Sequence, residues 1–278
     1  MRGEGQETAA GSAEEPAEAA APNGRGSDYV QTLARGLAVI RAFDADRPEL
    51  TLSEVARETG LTRAAARRFL LTLSDLGYVR ADGRRFALTP RVLELGFAYL
   101  SSMSLPEVAQ PHLERLVAEV QESTSVAVLD GADVVYVSRV ATSRIMRVAI
   151  NIGTRFPAAI TSMGRVLLAG LPPGELDARL ASVELESRTQ YSITDEKRLR
   201  AELDRVRSQG WAFVDQELEE GLRSIAVPIR ESAGKVVASL NVSSTTSRTT
   251  LDSARRVLLP PLLATAARIE ADLATMGR

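Results

Sequence analysis

The sequence predicts an α+β protein in which an N-terminal winged helix-turn-helix is joined by a linker helix to a C-terminal domain with an antiparallel sheet. Three helical periods followed by an alternating hairpin pattern fill residues 28–90, which is the element order of a winged helix. Beyond residue 106, short alternating stretches are flanked by helical periods, which favours an antiparallel sheet covered by helices. We therefore expect a disordered tail at 1–27, the winged helix at 28–90, the linker helix at 91–105 and the second domain at 106–278.

The composition is that of a globular chain without cysteine chemistry. The 278 residues are 45% apolar and carry a net charge of −2, so any basic surface for nucleic acid has to be local. The absence of cysteine excludes disulfides, thiolate zinc sites and a cysteine nucleophile. The chain has no apolar run of roughly 18 residues, and residues 1–27 lack the apolar stretch of a signal peptide. We expect a cytoplasmic protein that does not enter the membrane.

Helix-capping residues mark the elements of the winged helix. Thr51 and Glu54 have the spacing of a capping box at the start of the second helix. Gly60 is expected to end that helix, because glycine adopts the left-handed conformation of helix ends. Thr62 then caps a third helix, predicted from residue 63 to about residue 76.

The start of the third helix is the predicted DNA-binding surface, since a short turn presents it to the major groove. Residues 60–91 contain seven arginines and two aspartates, a local net charge of +5. The Asp82-Gly83 pair predicts the hairpin of the wing. Arginines can contact guanine edges and phosphates, and alanines let the helix backbone approach. The predicted DNA contacts are Thr51, Thr62, Arg63, Ala64, Ala65, Arg67, Arg68, Arg84 and Arg85. A solvated basic helix and a winged helix that binds protein remain alternatives.

Three predictions further along the chain concern the linker helix, a strand and the closing helix. The linker helix is predicted from Arg91 to about Ser102, and Pro106 is expected to break the chain after it. The stretch MRVAINI at 146–152 alternates and is predicted to be a strand. The closing helix at 250–276 has to accommodate Pro260 and Pro261.

One helix start in the second domain is suited to a small acid. A helix opens at Thr161, and its free N–H groups and dipole favour a carboxylate, with Arg155 as a second charge. Asp215 and Glu217 are expected to accept a hydroxyl hydrogen, and polar residues alternate on an otherwise apolar strand. The predicted ligand contacts are Arg155, Thr161, Ser162, Met163, Gly164, Asp215, Glu217, Ser224, Asn241 and Ser243. The alternatives are plain helix capping for the hydroxyl residues and solvation for the carboxylates.

The sequence offers no catalytic set. His112 is the single histidine of the chain, and no nucleophile elbow, zinc-protease motif or phosphate-binding loop is present. We therefore expect a protein that is not an enzyme and that uses neither a cofactor nor a metal.

After Tyr29, the chain resembles the IclR family of bacterial transcriptional regulators over nearly its whole length. The resemblance is carried by the blocks YVQTLARGLAVIRAF, TLSEVARETGLTRAAARRFLLTLSDLGYV and FALTPRVLELG in the first half. GTRFPAAITSMGRVLLA, DQELEEGLRSIAVPI and GKVVASLNVS carry it in the second half. The sequence is most similar to the subgroup that governs protocatechuate and 4-hydroxybenzoate breakdown.

The resemblance implies several properties. The second domain should hold a six-stranded sheet like that of GAF domains, and the protein should form a homodimer through its N-terminal domains. In the family such dimers often pair into a dimer of dimers. It should bind a palindromic operator in double-stranded DNA and respond to a small organic, aromatic acid. The helix start at 161–164, the region of Asp215, Ser224 and the strand of Asn241 and Ser243 should contact that effector. A regulator of another pathway with a non-aromatic effector is the alternative.

Overall fold

The computed structural model describes residues 29–100, 104–142, 150–181 and 185–276. The chain divides between Glu94 and Leu95 into two compact units, each with its own apolar core. The stretch predicted as a tail, 1–27, lies outside the described residues. The predicted fold class is confirmed, because a winged helix precedes a domain of mixed helices and antiparallel strands.

The first unit is a winged helix with a three-stranded antiparallel sheet in the order β1-β3-β2. Its elements are α1 (Gln31–Arg41), β1 (Glu49–Thr51), α2 (Leu52–Thr59), α3 (Arg63–Asp75), β2 (Val79–Asp82) and β3 (Arg85–Leu88). Strand β1 was not predicted, because its three residues pair only through the tertiary fold. The third helix buries Ala66, Leu70 and Leu73 in the core, whereas Leu76 just beyond it is 52% exposed.

Local sequence rules fix both ends of α2 and the start of α3. The Thr51 side chain and Glu54 form the predicted capping box of α2. Gly60 ends α2 with φ of 67°, a left-handed conformation that glycine adopts without a Cβ clash. Thr62 caps α3, because its Oγ1 accepts from the Ala65 N–H at 3.2 Å.

The predicted linker differs from the structure in its bounds. A short 3₁₀ turn at Pro90–Val92 precedes α4 (Leu93–Leu100), and α5 spans Ser104–Val120. Pro106 therefore lies within the first turn of α5 and does not break the chain. Proline is tolerated there because the first N–H groups of a helix have no partner within it.

The second unit has a six-stranded antiparallel sheet in the order β6-β5-β4-β9-β8-β7. Its strands are β4 (Ser123–Asp130), β5 (Asp133–Val140), β6 (Arg155–Pro157), β7 (Ala212–Asp215), β8 (Leu222–Arg230) and β9 (Val236–Thr245). Its further helices are α6 (Ser162–Ala169), α7 (Pro173–Leu180), α8 (Glu196–Gln209), α9 (Leu251–Ser253) and α10 (Leu259–Met276). Helices α5 and α10 pack on one face of the sheet, and α6 and α8 belong to the core on the other.

Two predictions in this unit need correction or refinement. The predicted strand at 146–152 falls partly on residues 143–149, outside the described residues, and its described part at 150–152 is not a strand. Strand β6 follows it and was missed, because three residues ending in proline show no alternation. The closing helix accommodates Pro260 and Pro261 after a π-helical turn at Ala254–Leu258, which alters the hydrogen-bond register just before them.

Candidate functional sites

The start of α3 forms an exposed basic surface. Arg63, Arg67 and Arg68 are exposed, and none of the three has an ion-pair partner among the residues that the structure describes. Ala64 beside them is exposed and Ala65 is half-buried. Thr62 keeps its hydroxyl at the first turn of the helix. These residues leave long donors free around a small-residue surface, the arrangement that docks on a major groove.

The remaining predicted DNA contacts differ in their surroundings, since Arg84 is exposed in the wing whereas Arg85 and Thr51 lie beside the Glu54 carboxylate. Arg84 lies in the two-residue turn of the hairpin and is exposed, since Asp82 pairs with Arg85 on either side of the turn. Arg85 pairs with Thr51 of β1. The pKa of Glu54 is lowered mainly by its hydrogen bonds from Thr51, with a smaller effect of the Arg85 charge. Thr51 and Arg85 therefore lie beside a carboxylate, and the Thr51 hydroxyl is already bonded at 2.8 Å.

A cavity lies between the start of α6 and one face of the six-stranded sheet. About 370 Å³ of space, which includes solvent at its open side, is free of protein atoms there. It is lined by Tyr136, Ile150, Ile160, Thr161, Ser162, Met163, Val214, Leu218, Leu222, Ser224, Asn241 and Ser243. Six of the ten predicted ligand contacts are in this lining: Thr161, which caps α6, Ser162 and Met163 of α6, Ser224 of β8, and Asn241 and Ser243 of β9. An apolar cavity with a few converging polar groups is the usual form of a small-molecule site.

The start of α6 supplies hydrogen-bond donors to the cavity. Thr161 caps the helix, and its Oγ1 accepts from the Gly164 N–H at 3.1 Å. The N–H groups of Ser162 and Met163 have no hydrogen-bond acceptor within the described part of the chain. The Ser162 Oγ lies 2.7 Å from the Ser224 Oγ, which joins the helix start to β8.

Gly164 was predicted to contact the ligand, but in the structure it has a packing role. A Cβ at this position would collide with the carbonyl oxygen and Cα of Ala158 in the preceding 3₁₀ turn. Gly164 is also not part of the cavity lining. The glycine lets the helix start pack against its own entry turn.

The floor of the cavity contains an amide with one unsatisfied atom. Asn241 is 2% exposed, and its Nδ2 donates to the Ser243 Oγ at 3.0 Å. Its Oδ1 is buried and has no hydrogen-bond partner among the described residues. A buried acceptor without a donor is unfavourable, so this oxygen favours a ligand that can donate.

Tyr136 is a lining residue that sequence analysis missed. Burial raises the pKa of its phenol to about 12, and its ring makes an edge-on contact with Phe156 at 5.8 Å. The alternation of β5 (DVVYVSRV) is the pattern that contained it, but which face it takes depends on a β-bulge. Met163, one of the predicted ligand contacts, lines the cavity together with Ile160.

Arg155 and Asp215 do not line the cavity, contrary to expectation. Arg155 lies on edge strand β6 and bonds Asp130 at 2.6 Å and Asp133 at 3.2 Å, which ties β6 to the hairpin of β4 and β5. The Asp215 carboxylate receives both arms of Arg223 at 2.7 and 3.0 Å. Val214, which directly precedes Asp215 on β7, lines the cavity instead, because successive strand residues alternate between the two faces of the sheet.

Glu217 is also absent from the lining and has a structural role. Its Oε2 accepts from the Arg165 Nη2 at 2.6 Å and from the Ile193 N–H at 3.1 Å. The side chains of Arg165 and Glu217 are only 2% and 8% exposed. Arg165 also donates to the Ala159 carbonyl at 3.0 Å. This buried pair fastens α6, its entry turn and the loop after β7 to one another.

Other classes of site are not found in the described part of the chain. None of its helices is long and apolar enough to cross a membrane. No cluster of three or more histidine or acidic side chains there is arranged to hold a metal ion.

The two units define a class of protein that couples a DNA-binding winged helix to a domain with a ligand cavity. Residues 32–83 match the IclR helix-turn-helix domain. Residues 97–271 match the family described as bacterial transcriptional regulator IclR C-terminal. The chain therefore belongs to the IclR family of bacterial transcriptional regulators and is not an enzyme.

The proteins similar to this chain include regulators that are named after the pca regulon and p-hydroxybenzoate hydroxylase. The Pca regulon regulatory protein of Pseudomonas putida is 46% identical over 85% of this chain and 82% of its own. The p-hydroxybenzoate hydroxylase transcriptional activator of Acinetobacter baylyi is 40% identical over 81% of this chain and 84% of its own. An IclR homologue of Microbacterium hydrocarbonoxydans, solved with 4-hydroxybenzoate, is 28% identical with a TM-score of 0.77, covering 88% of this chain and 99% of its own.

Proposed function

We propose that this regulator binds a palindromic operator in double-stranded DNA and that a small aromatic hydroxy acid in the cavity of the second unit changes that binding. The proposed effector contacts are Thr161, Ser162, Met163, Ser224, Asn241 and Ser243. Arg155, Gly164, Asp215 and Glu217 are not carried into this proposal, since packing or ion pairs account for them.

The observation that carries the proposal is a pair of opposite, unsatisfied groups in one apolar cavity. The N–H groups of Ser162 and Met163 need an acceptor, and the Oδ1 of Asn241 needs a donor. A hydroxyl group is both acceptor and donor, so one phenolic hydroxyl can satisfy both sides. The apolar lining, including Ile150, Leu218 and other aliphatic residues, suits a ring.

The names of the similar proteins support an aromatic effector. One relative is named as an activator for p-hydroxybenzoate hydroxylase, and a solved homologue holds 4-hydroxybenzoate. Both observations favour a hydroxybenzoate over the non-aromatic effector that sequence analysis left open.

Calorimetric titration of the full chain with 4-hydroxybenzoate, protocatechuate and benzoate tests the effector. The hydroxylated acids should bind more tightly than benzoate, and Asn241→Ala should weaken 4-hydroxybenzoate binding by about tenfold, the effect of losing one buried hydrogen bond of ~1.4 kcal/mol. Benzoate binding should change little in that variant.

Ser239→Ala is the matched control for this experiment. Ser239 lies on the same strand, is fully buried and bonds the Val227 carbonyl at 3.0 Å, but it does not line the cavity. Equal losses for benzoate and 4-hydroxybenzoate in Asn241→Ala would contradict the hydroxyl assignment. If neither hydroxylated acid binds the wild type, the aromatic effector is wrong.

The proposed DNA contacts are those that the structure leaves free on α3 and in the turn of the wing. They are Thr62, Arg63, Ala64, Ala65, Arg67, Arg68 and Arg84. Fluorescence anisotropy with an operator fragment at rising salt should show steep weakening, because phosphate contacts release counterions. Arg68→Ala should weaken binding and, if Arg68 contacts phosphate, lower the salt slope by about one. Arg205→Ala, in an ion pair on α8 of the other unit, is the control.

A homodimer through the winged helix is part of this proposal. On α1 and just before it, Val30, Leu33 and Leu37 are 62%, 63% and 47% exposed and form an apolar stripe at helical spacing. A second copy would cover this stripe in a two-fold contact, which matches a palindromic operator, and pairing of two such dimers would give a dimer of dimers. Light scattering should give a dimer or tetramer mass for the wild type and a lower mass for Leu33→Glu. A regulator of a bacterial chromosome would act in the cytoplasm.

A further inference from the structure

Arg139 of β5 is a half-buried cation without a carboxylate partner among the described residues. Its Nη1 donates to the Ser125 Oγ at 3.1 Å. Burial lowers the pKa of the guanidinium, and the phenol of Tyr136 only partly offsets that effect. Arg165 and Arg223, two other arginines of this unit that are not exposed, are each paired with a carboxylate. A partly desolvated charge without a counter-ion favours an anion as its neighbour.

A β-bulge turns Arg139 towards the cavity face of the sheet. Ala127 pairs with Tyr136 and Ser125 pairs with Arg139, so one residue of β5 is left over between them. Because Ser125 and Ala127 lie on one face of β4, Tyr136 and Arg139 lie on that same face of β5. Tyr136 lines the cavity, which places Arg139 on the cavity side as well.

Arg139 is not one of the residues that line the cavity, but the sheet register places it on the same face of the sheet, beyond Asn241 of the lining. Ser125 pairs with Arg139 on one side and with Asn241 on the other. Neighbouring strands are roughly 4.8 Å apart, so the guanidinium at Ser125 lies about one strand spacing from the Asn241 side chain. Ser224 lies one strand beyond β9, next to the start of α6.

We propose that Arg139 is the counter-ion of the effector's carboxylate and that the effector's hydroxyl points to the start of α6. This inference rests on the proposed function and sets the orientation of the ligand within it. A carboxylate at the helix start would meet the Asn241 oxygen with no hydrogen to donate, whereas a hydroxyl can donate to it. The helix start offers roughly half a unit charge, and Arg139 offers a full charge with a guanidinium that matches a carboxylate. The expectation of a carboxylate at Thr161 is therefore revised.

Calorimetric titration of the full chain with a charged and a neutral ligand tests this orientation. The ligands are 4-hydroxybenzoate and 4-hydroxybenzamide, which differ in the charge of one end only. Arg139→Gln should weaken 4-hydroxybenzoate binding by roughly 10- to 100-fold, the scale of a lost charged hydrogen-bond pair. It should leave 4-hydroxybenzamide within about threefold of the wild type.

Two further variants make the result interpretable. Arg139→Lys keeps the charge without the forked geometry and should lose less affinity for 4-hydroxybenzoate than Arg139→Gln does. Arg155→Gln, an exposed and ion-paired arginine that does not line the cavity, should bind both ligands like the wild type. The melting temperature of each variant without ligand shows that it is folded.

The outcomes separate this inference from the proposed function. If the wild type binds 4-hydroxybenzoate and Arg139→Gln binds it equally well, the counter-ion role is wrong and the proposed function stands. If a folded Arg139→Gln loses both ligands to the same extent, Arg139 shapes the cavity and does not pair with the carboxylate. If the wild type binds neither ligand, the proposed function fails together with the inference.

Discussion

Removing Glu217 should destabilise the second unit more than any loss of an exposed ion pair. Its carboxylate and the Arg165 guanidinium are 8% and 2% exposed and 2.6 Å apart, so Glu217→Ala leaves a buried arginine without a counter-ion. It also leaves the Ile193 N–H without its acceptor. Breaking one side of such a pair costs roughly 3–5 kcal/mol, a large part of the usual 5–15 kcal/mol of a folded domain.

The expected loss can be measured by urea and thermal unfolding followed by Trp211 fluorescence. The melting temperature should fall by roughly 6–20 °C, since each kcal/mol shifts it by about 2–4 °C in a domain of this size. Glu217→Gln keeps an oxygen for the Ile193 N–H and should lose less. Asp252→Ala breaks an ion pair with Arg256 whose side chains are 69% and 76% exposed, and it should cost about 0–1 kcal/mol.

Replacing both partners decides whether the cost comes from the unpaired charge. The double variant Arg165→Met with Glu217→Leu removes both charges and should be more stable than Glu217→Ala, because apolar replacements of buried pairs are often close to neutral. A loss of less than ~1 kcal/mol in Glu217→Ala, or a double variant less stable than that single one, would refute this reasoning.

Two further predictions concern packing and pH. Gly164→Ala should lose about 1–3 kcal/mol or more in urea unfolding, because its new methyl group meets the Ala158 backbone, whereas Gly174→Ala has open space and should be neutral or slightly stabilising. Equal stability of the two variants would contradict the packing role. Burial raises the pKa of the Tyr136 phenol to about 12 in the folded state, whereas in the unfolded chain it ionises near its ordinary value of 10. Wild-type stability should therefore fall by about 2 kcal/mol as the pH rises from 10 to 12, and Tyr136→Phe should lack this part of the loss. The exposed Tyr191→Phe is its control, and it should follow the wild type.

Local rules explain why most elements were predictable from the sequence. The capping box at Thr51, the left-handed Gly60 and the cap at Thr62 depend on neighbours within a few residues, and each was confirmed. Strands β1 and β6 were missed because three-residue strands carry no period and exist through their partners alone. Element order was therefore predictable, and short edge strands were not.

The ligand site was only partly predictable, because a sequence shows charges without their partners. Asp215 and Glu217 were predicted to contact a ligand. In the structure Asp215 forms an ion pair with Arg223 on the neighbouring strand, and Glu217 forms one with Arg165 on α6, pairings that only the tertiary fold brings about. Tyr136 and Arg139 were missed for a different reason. The bulge opposite Val126 and Ala127 shifts the parity of β5, and simple alternation cannot reveal it.

The pairing of β4 with β9 has a consequence for how the protein emerges from the ribosome. These two strands form the middle of the sheet, yet they lie near the beginning and the end of the second unit in the chain. The winged helix can form from its own local contacts during synthesis, because domains fold as units from the N-terminus. The sheet has to wait until β9 has been made, which is slow, long-range closure. A nascent or truncated chain that stops before Val236 would thus have the winged helix, but it would lack β9 and with it part of the cavity lining.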